Sequence, residues 1–294
     1  MHCPCPDNSK STILYQTNRK NVSEIDVRCT SKHHFIPSIF KCNKCNLIFS
    51  EHINKNFEDN YSNVEDETYI SQIEFKTKYF QLFFSKIKKY LNPNSNVLEI
   101  GSYYGVLGNI IKSNVKSYIG LELSKHAAEY SKNKFDLNIA NESTGTFLNK
   151  NKNFDVIIMS DVIEHLDNPF EILQLIEKNL NPNGILIFST FNMNSITPKI
   201  MGKRYHWIMP MHKYYFSNDT LKYFLNKYNL NLFKTKTDTR LISLEYLLNK
   251  MVIIMPKIDF IFKFLLKFNF LRKLTIKINL LDLNIYFVKK LNIR

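Results

Sequence analysis

Along residues 69–91, YISQIEFKTKYFQLFFSKIKKYL, apolar side chains recur at helical spacing and the segment ends in lysines, which predicts an amphipathic helix. NPNSN stops it. From there, apolar runs and helical stretches alternate. VLEI (97–100) reads as a buried strand, GVLGNIIKSN (105–114) as a helix, SYIGLEL (117–123) as a strand, KHAAEYSKNK (125–134) as a helix and LNIA (137–140) as a short strand. FDVIIMS (154–160) is apolar with little alternation, as parallel strands covered on both faces are. NPFEILQLIEKNL (168–180) reads as a helix with Asn168 at its cap and Pro169 at its first position. NPNG then turns the chain into the strand ILIFST (185–190). Such alternation predicts an α/β fold, an open parallel sheet with helices on both faces. Ligands sit beyond the carboxyl ends of such strands, where the sheet order switches.

The flanks differ. Residues 1–50 hold all five cysteines and read as a small module, and the polar, acidic stretch 51–68 reads as a linker to a domain spanning 69–294. Near the end, LNLFKTKT (230–237) and DLNIYFVKK (282–290) read as two more strands. Between them, residues 241–278 are very apolar and basic and are expected to form a helical insertion.

Glycine is scarce, seven in 294 residues, yet Gly101, Gly105, Gly108 and Gly120 crowd the turn after VLEI and the strand that follows. A dinucleotide site wants G-x-G-x-x-G, with the second glycine admitting the pyrophosphate. Here Tyr103 stands at that second place. Glu99, just ahead of the turn, would repel phosphate and attract an ammonium group.

These residues resemble the class I S-adenosylmethionine (SAM) methyltransferases, whose first motif runs acid-x-Gly-x-Gly-x-Gly. Glu99, Gly101 and Gly105 match it, with Tyr103 replacing the middle glycine; Glu122, at the end of YIGLELS, matches the acid that holds the ribose hydroxyls. FDVIIMSDVIEHLDNP and LNPNGILIFST are similar to the family's fourth strand with its loop and to its fifth-strand hairpin. The resemblance covers about residues 70–240. It implies a Rossmann-like seven-stranded sheet ending in an antiparallel hairpin that 241–278 interrupts. It also implies SAM as cofactor, bound by Glu99, Gly101, Ser102, Tyr103, Gly105, Glu122, Leu123, Asn141 and Asp161. Within the family, DVIEHL and HKYYFSNDTL (212–221) look most like the type 11/12 branch. That branch includes ubiquinone-pathway O-methyltransferases and enzymes of glycan metabolism, some with an N-terminal Cys-pair module.

Methyl transfer to a hydroxyl needs alignment and, for many acceptors, a base. The candidates are His165, His206 and His212, of which His165 and His212 are chosen as catalytic. By resemblance, Asp161, Glu164 and His165 could hold a divalent metal such as Mg²⁺ that polarises the acceptor oxygen. The plainer reading is that Glu164 pairs locally, His165 packs near the cofactor, His212 bonds within its own loop, and Trp207 serves core or lid. The expected acceptor is a hydroxyl on a saccharide, a lipid-linked glycan or a quinone-like molecule.

KCNKC gives Cys42-x2-Cys45, half of a zinc ribbon. The second half departs from the usual spacing: Cys3-x-Cys5, with Cys29 able to replace a ligand. Zinc on Cys3, Cys5, Cys42 and Cys45 would be structural, because four thiolates leave no open position. Degenerate knuckles with unbound thiols are the alternative.

Charge adds one more feature. The net charge is +14, and residues 201–294 carry 18 Lys and Arg against 5 Asp and Glu, a net of +13. The insertion therefore reads as a peripheral contact with an anionic membrane, as a dimer interface, or as a lid. With no apolar leader and no run of eighteen apolar residues, the expected location is the cytoplasm, if peripheral then at the inner face of the membrane. Two rivals remain: a nucleic-acid methyltransferase, disfavoured because SDVI stands where base-amino methylases carry (D/N)-P-P-Y, and a zinc-ribbon binding protein on a vestigial SAM fold.

Overall fold

The computed structural model describes residues 1–17, 28, 37–51, 61–151, 153–254, 256–272 and 274–291. Cys29, residues 52–60 of the linker and Lys273 lie outside them. Three short strands open the chain, β1 (Ser11–Tyr15), β2 (Ile39–Cys42) and β3 (Ile48–Ser50). Helix Ile73–Ile87 then leads into β4 (Asn96–Ile100), β5 (Ser117–Leu121), β6 (Ile139–Ala140), β7 (Phe154–Ser160) and β8 (Leu180–Phe191). Further on come β9 (Tyr214–Tyr215), β10 (Leu230–Thr237), β11 (Arg240–Ser243), β12 (Thr275–Ile278) and β13 (Leu283–Lys290).

The central sheet has seven strands in the order β10-β13-β8-β7-β4-β5-β6. β4 through β8 are mutually parallel, while β13 runs antiparallel to both β8 and β10. Side chains alternate across a strand, so each strand feeds two cores. Leu98, Ile157, Met159, Leu186, Phe188 and Val288 face one side, against helices Pro169–Asn179 and Asn218–Lys227. Val97, Val156, Ile158, Ile187 and Phe287 face the other, with Phe83 and Ile87 of the 73–87 helix. Both faces are covered, which is why these strands read as unbroken apolar runs. The strand order switches between β4 and β7, so the crevice lies where the glycine turn and the loop after β7 meet.

The Cys module shares this core. Cys3, Cys5, Cys42, Cys45, Leu47 and Phe49 belong to the same apolar cluster as Tyr214 and Phe216. β1, β2 and β3 form a second sheet whose edge is completed by β9 from the main chain, with Phe49 opposite Tyr214 and Ile48 opposite Tyr215.

The insertion lies between β10 and β13, as its sequence position predicts. It opens and closes on a two-stranded ribbon, β11 with β12, where the sequence suggested helix throughout. TIKI alternates with period two but RLIS does not, and at four residues each they were hidden beside helices Leu244–Ile254 and Asp259–Leu265. Among the described residues no helix is long and apolar enough to cross a membrane.

Candidate functional site

β4 ends at Ile100, and the chain reverses through Gly101 (φ +72°), Tyr103 (φ +47°) and Gly105 (φ +71°), all left-handed. A Cβ on Gly101 would lie 2.6 Å from Cγ2 of Val162, and one on Gly105 would lie 2.7 Å from Cδ1 of Leu137 and 2.8 Å from Cβ of Ser131. The close approach that demands these glycines is therefore made by the loop after β7 and by helix Lys125–Phe135 with its following residues. Tyr103, where a dinucleotide fold would have glycine, turns its ring edge-on to Tyr69 and Tyr104 and donates its hydroxyl to Asp66 Oδ2 at 2.9 Å. Asp66, buried, also caps the helix Glu67–Ser71 by accepting from the Tyr69 N–H.

Two buried acids stand at this turn. Glu122 at the end of β5 accepts from the Tyr103 N–H (2.7 Å, Oε2) and the Ser124 N–H (2.8 Å, Oε1). Burial pushes its carboxyl up to about 7, opposed by those backbone donors. Glu99 accepts the Tyr118 hydroxyl at 2.6 Å, and burial, with a further contribution from the Glu122 charge, pushes it up to about 8. The Asn141 amide donates to the carbonyls of Glu122 and Leu123, closing the edge of the site at 2.7 and 2.9 Å. Ser102 Oγ is buried beside the Tyr118 hydroxyl. Among the described residues no cation pairs with either acid, and two buried acids suit a ligand carrying both an ammonium group and hydroxyls, as SAM does.

The loop after β7 supplies the rest. Asp161 (φ +55°) accepts from the Ser189 hydroxyl at 2.8 Å and pairs with Arg240, the first residue of β11. Arg240 in turn lies over the rings of Tyr79 (5.0 Å) and Trp207 (5.6 Å). Glu164 is buried and accepts from the Thr190 hydroxyl at 3.0 Å. Burial and the nearby Asp161 charge push it up to about 8. His165 Nδ1 lies 3.1 Å from the Met211 carbonyl and His212 Nδ1 lies 2.8 Å from the Trp207 carbonyl. With Nδ1 donating to a carbonyl, each neutral ring carries its basic lone pair on Nε2.

The structure brings Glu164, His165 and His212 together, with one potential ligand atom from each within 4.8 Å of the others. The expected set was Asp161, Glu164 and His165. Asp161 is outside this group because Arg240 and Ser189 hold its carboxylate. His206 is not part of it either: its Nε2 lies 3.9 Å from Asp282, and its ring is next to Tyr205 and Trp207. Arg240, Ser189 and Thr190 escaped the sequence reading. Nothing around a single arginine at a strand start marks a partner on another loop.

At the other end of the His212 segment, Cys3, Cys5, Cys42 and Cys45 are buried thiols whose sulfurs all lie within 4.8 Å of one another. Cys45 Sγ is 3.6 Å from Cys5 Sγ, and the Cys45 N–H points at Cys42 Sγ at 3.5 Å. The hydrogen bond from Cys3 holds the Cys45 thiol down to about 5, while that bond and burial push Cys3 up.

Comparison with known proteins agrees with this geometry. Residues 73–235 match the methyltransferase domain family. The ubiquinone biosynthesis O-methyltransferase of Rickettsia typhi is 32% identical over 113 residues, 36% of this chain and 46% of that protein. The mitochondrial ubiquinone biosynthesis O-methyltransferase of Saccharomyces cerevisiae is 29% identical over 160 residues, 47% of this chain and 49% of that protein. The chain thus spans about half the length of these curated relatives. Among solved structures, a SAM-dependent methyltransferase from Archaeoglobus fulgidus superimposes with a TM-score of 0.51 at 19% identity, covering 76% of this chain and 100% of that one. One from Clostridium acetobutylicum gives 0.51 at 14%, covering 77% and 97%. At such identities the likeness is one of fold.

Proposed function

The chain belongs to the methyltransferase domain family, and from that premise we propose that it binds SAM at the turn after β4 and methylates a hydroxyl of a small molecule. The acceptor class we favour is quinone-like, with a saccharide or lipid-linked glycan as the alternative. The observation that carries the reading is the pairing of His165 with His212 beside Glu164, at the end of β7, in a loop whose Val162 touches the glycine turn. The relatives whose names specify ubiquinone biosynthesis O-methylation support oxygen as the acceptor atom.

SAM supplies an already activated methyl group, so the chain has to align, shield and deprotonate. Glu122 and Asn141 rim one end of the site, where Glu122 would accept from ribose hydroxyls and Glu99 and Ser102 would meet the polar end of the ligand. Leu123, Gly101, Gly105 and Tyr103 shape its wall. Nε2 of His212 or His165 would take the acceptor proton, and the backbone carbonyls at Nδ1 stabilise the imidazolium that forms. Asp161 acts by fixing Arg240 and the loop rather than by touching a metal.

A divalent ion at Glu164, His165 and His212 would polarise the acceptor oxygen. One carboxylate with two imidazoles suits a transition ion better than Mg²⁺, which favours oxygen ligands. Separately, the four buried thiols suit a structural zinc ion with no catalytic position. We further assign the exposed apolar and basic face of the insertion to an anionic lipid surface, which would bring the site to a lipid-borne acceptor.

The test is calorimetry with SAM followed by labelled methyl transfer to a catechol probe. Glu122→Ala should weaken SAM binding by about 2–3 kcal/mol through the loss of charge-assisted hydrogen bonds. A protein that neither binds SAM nor labels any hydroxyl acceptor would overturn the reading.

A further inference from the structure

The Cys cluster and the candidate base are joined by a short path that ends on buried Ser50 and His212. Cys42 ends β2 and, through the turn containing Cys45, leads into β3, whose last residue is Ser50. Ser50 Oγ donates to the His212 carbonyl at 3.0 Å, and the Ser50 N–H donates to the Lys213 carbonyl at 2.9 Å. The Lys213 N–H in turn donates to the Glu164 carbonyl at 2.9 Å. The backbone of His212 and Lys213 is thus clamped between the Cys module on one side and Glu164 on the other. The second Cys pair is latched to the same region. Asp7, two residues past Cys5, accepts from the Tyr223 hydroxyl (2.7 Å) and from Lys227 Nζ (2.9 Å), both on helix Asn218–Lys227, which directly follows the His212 segment.

The hydrogen bonds of the acids at the cofactor end run to other elements. Glu99, Glu122 and Asn141 take their partners from β5, from the glycine turn and from residues 122–124. A change in the Cys module therefore reaches the His212 backbone directly, through the two hydrogen bonds of Ser50.

We propose that zinc held by Cys3, Cys5, Cys42 and Cys45 sets the position of His212, so that metal loading of the N-terminal module governs the acceptor side of the site and not SAM binding. This rests on the zinc reading given above and assigns the module a task within the methyltransferase site. Tetrahedral thiolate coordination, with Zn–S near 2.3 Å, places sulfurs about 3.8 Å apart. The 3.6 Å between Cys45 and Cys5 is already close to that spacing. Zinc would add a covalent-strength clamp to two loops already joined by the β1–β2 ladder and by the Asn43 N–H donating to the Lys10 carbonyl. The β3–β9 ladder and Ser50 would then carry the fixed geometry to the His212 carbonyl. Ser50 is a positioning residue here.

The chain carries its own reporter. Trp207 is its only tryptophan, its carbonyl faces His212 Nδ1, and its ring lies 6.1 Å from the His212 ring. The experiment follows Trp207 fluorescence and the His212 imidazole signal by NMR while zinc is stripped with a chelator and then restored. SAM affinity is measured by calorimetry in each state. Chelation avoids relying on Cys→Ser variants that could fail to fold. Repeating it in Glu164→Gln removes any response from a metal at the catalytic cluster.

Zinc loss should shift both signals, zinc return should restore them, and the SAM Kd should stay within about twofold. Ser50→Ala should keep its zinc yet show Trp207 and His212 signals displaced toward the metal-free values. Zinc leaving with both signals unmoved would overturn the coupling, as would a SAM Kd that worsens in step with them, which would mean general loosening. Reduced protein that neither contains nor takes up zinc would instead sink the zinc reading beneath it, and metal analysis distinguishes that failure from the others.

Discussion

The imidazole rings of His165 and His212 stand edge to face, 4.6 Å between centroids, one from the loop after β7 and the other from the segment that enters β9. Each is oriented by a backbone carbonyl at Nδ1, and Glu164 lies against both. If His212 is the base, His212→Gln should lower turnover on a catechol probe by about 10²-fold or more while the SAM Kd holds. If His165 serves only to orient, His165→Gln should cost much less. Equal turnover in His212→Gln and wild type, measured by labelled methyl transfer, would remove His212 from the chemistry. A transition-ion requirement abolished by Glu164→Gln would mark all three as ligands.

The second prediction concerns the glycine turn. Gly101 is left-handed, and any Cβ there would meet Val162 at 2.6 Å. Gly101→Ala should destabilise the fold by about 1–3 kcal/mol and weaken SAM binding by displacing the loop after β7. The double variant Gly101→Ala, Val162→Ala should recover only part, because the clash goes and the dihedral strain stays. Denaturant melts of the single and double variants decide it. A single variant as stable as wild type would show that the turn tolerates a side chain.

Much of this was legible beforehand, and the reasons are physical. Strands covered on both faces leave continuous apolar runs, so β4, β5, β7 and β8 stood out. A chain with seven glycines marks its tight turn by where it places them. What escaped was short or long-range. β9 is two residues long, too brief for any period, yet it joins the Cys module to the main chain. Arg240 and Asp161 meet across 79 residues, and neither local sequence points to the other. The same pair explains why Asp161 stands apart from Glu164, His165 and His212: its carboxylate is already held by a guanidinium.

Acid burial sets a pH dependence. Glu99 is held up to about 8 by burial, against an ordinary carboxyl value of 4.5. Between those values the folded protein keeps a proton that the unfolded chain has released. Stability in the absence of SAM should therefore fall as pH rises from about 4.5 to 8 and level off beyond. Glu99→Gln keeps an acceptor for the Tyr118 hydroxyl and loses the titration. Its Tm relative to wild type should rise between pH 5 and pH 8.5. A constant Tm difference over that range would mean Glu99 is not protonated in the fold.

The last prediction concerns the insertion. Phe260, Phe264, Phe268 and Phe270 are exposed, with Lys257, Lys263, Lys267 and Lys277 exposed around them. Phe264 and Phe268 touch edge-on at 5.3 Å, and Phe268 and Phe270 at 6.2 Å, so these three rings form one patch, with Phe260 exposed one turn before Phe264 on the same helix. A patch of aromatic rings ringed by cations complements an anionic leaflet, into which the rings would insert at headgroup depth while each lysine adds about 1 kcal/mol. Sedimentation with phosphatidylglycerol vesicles should show salt-sensitive binding, and phosphatidylcholine vesicles should bind little. Changing the four lysines to Gln should weaken binding with SAM affinity intact, because all four are exposed residues of the insertion. Phe260→Asp with Phe264→Asp should weaken it at every salt concentration, since the apolar contribution is not screened. Protein left in the supernatant with anionic vesicles at low salt would overturn the lipid assignment, and a concentration-dependent dimer in the ultracentrifuge, lost in Phe260→Asp, would assign the patch to a second copy of the chain.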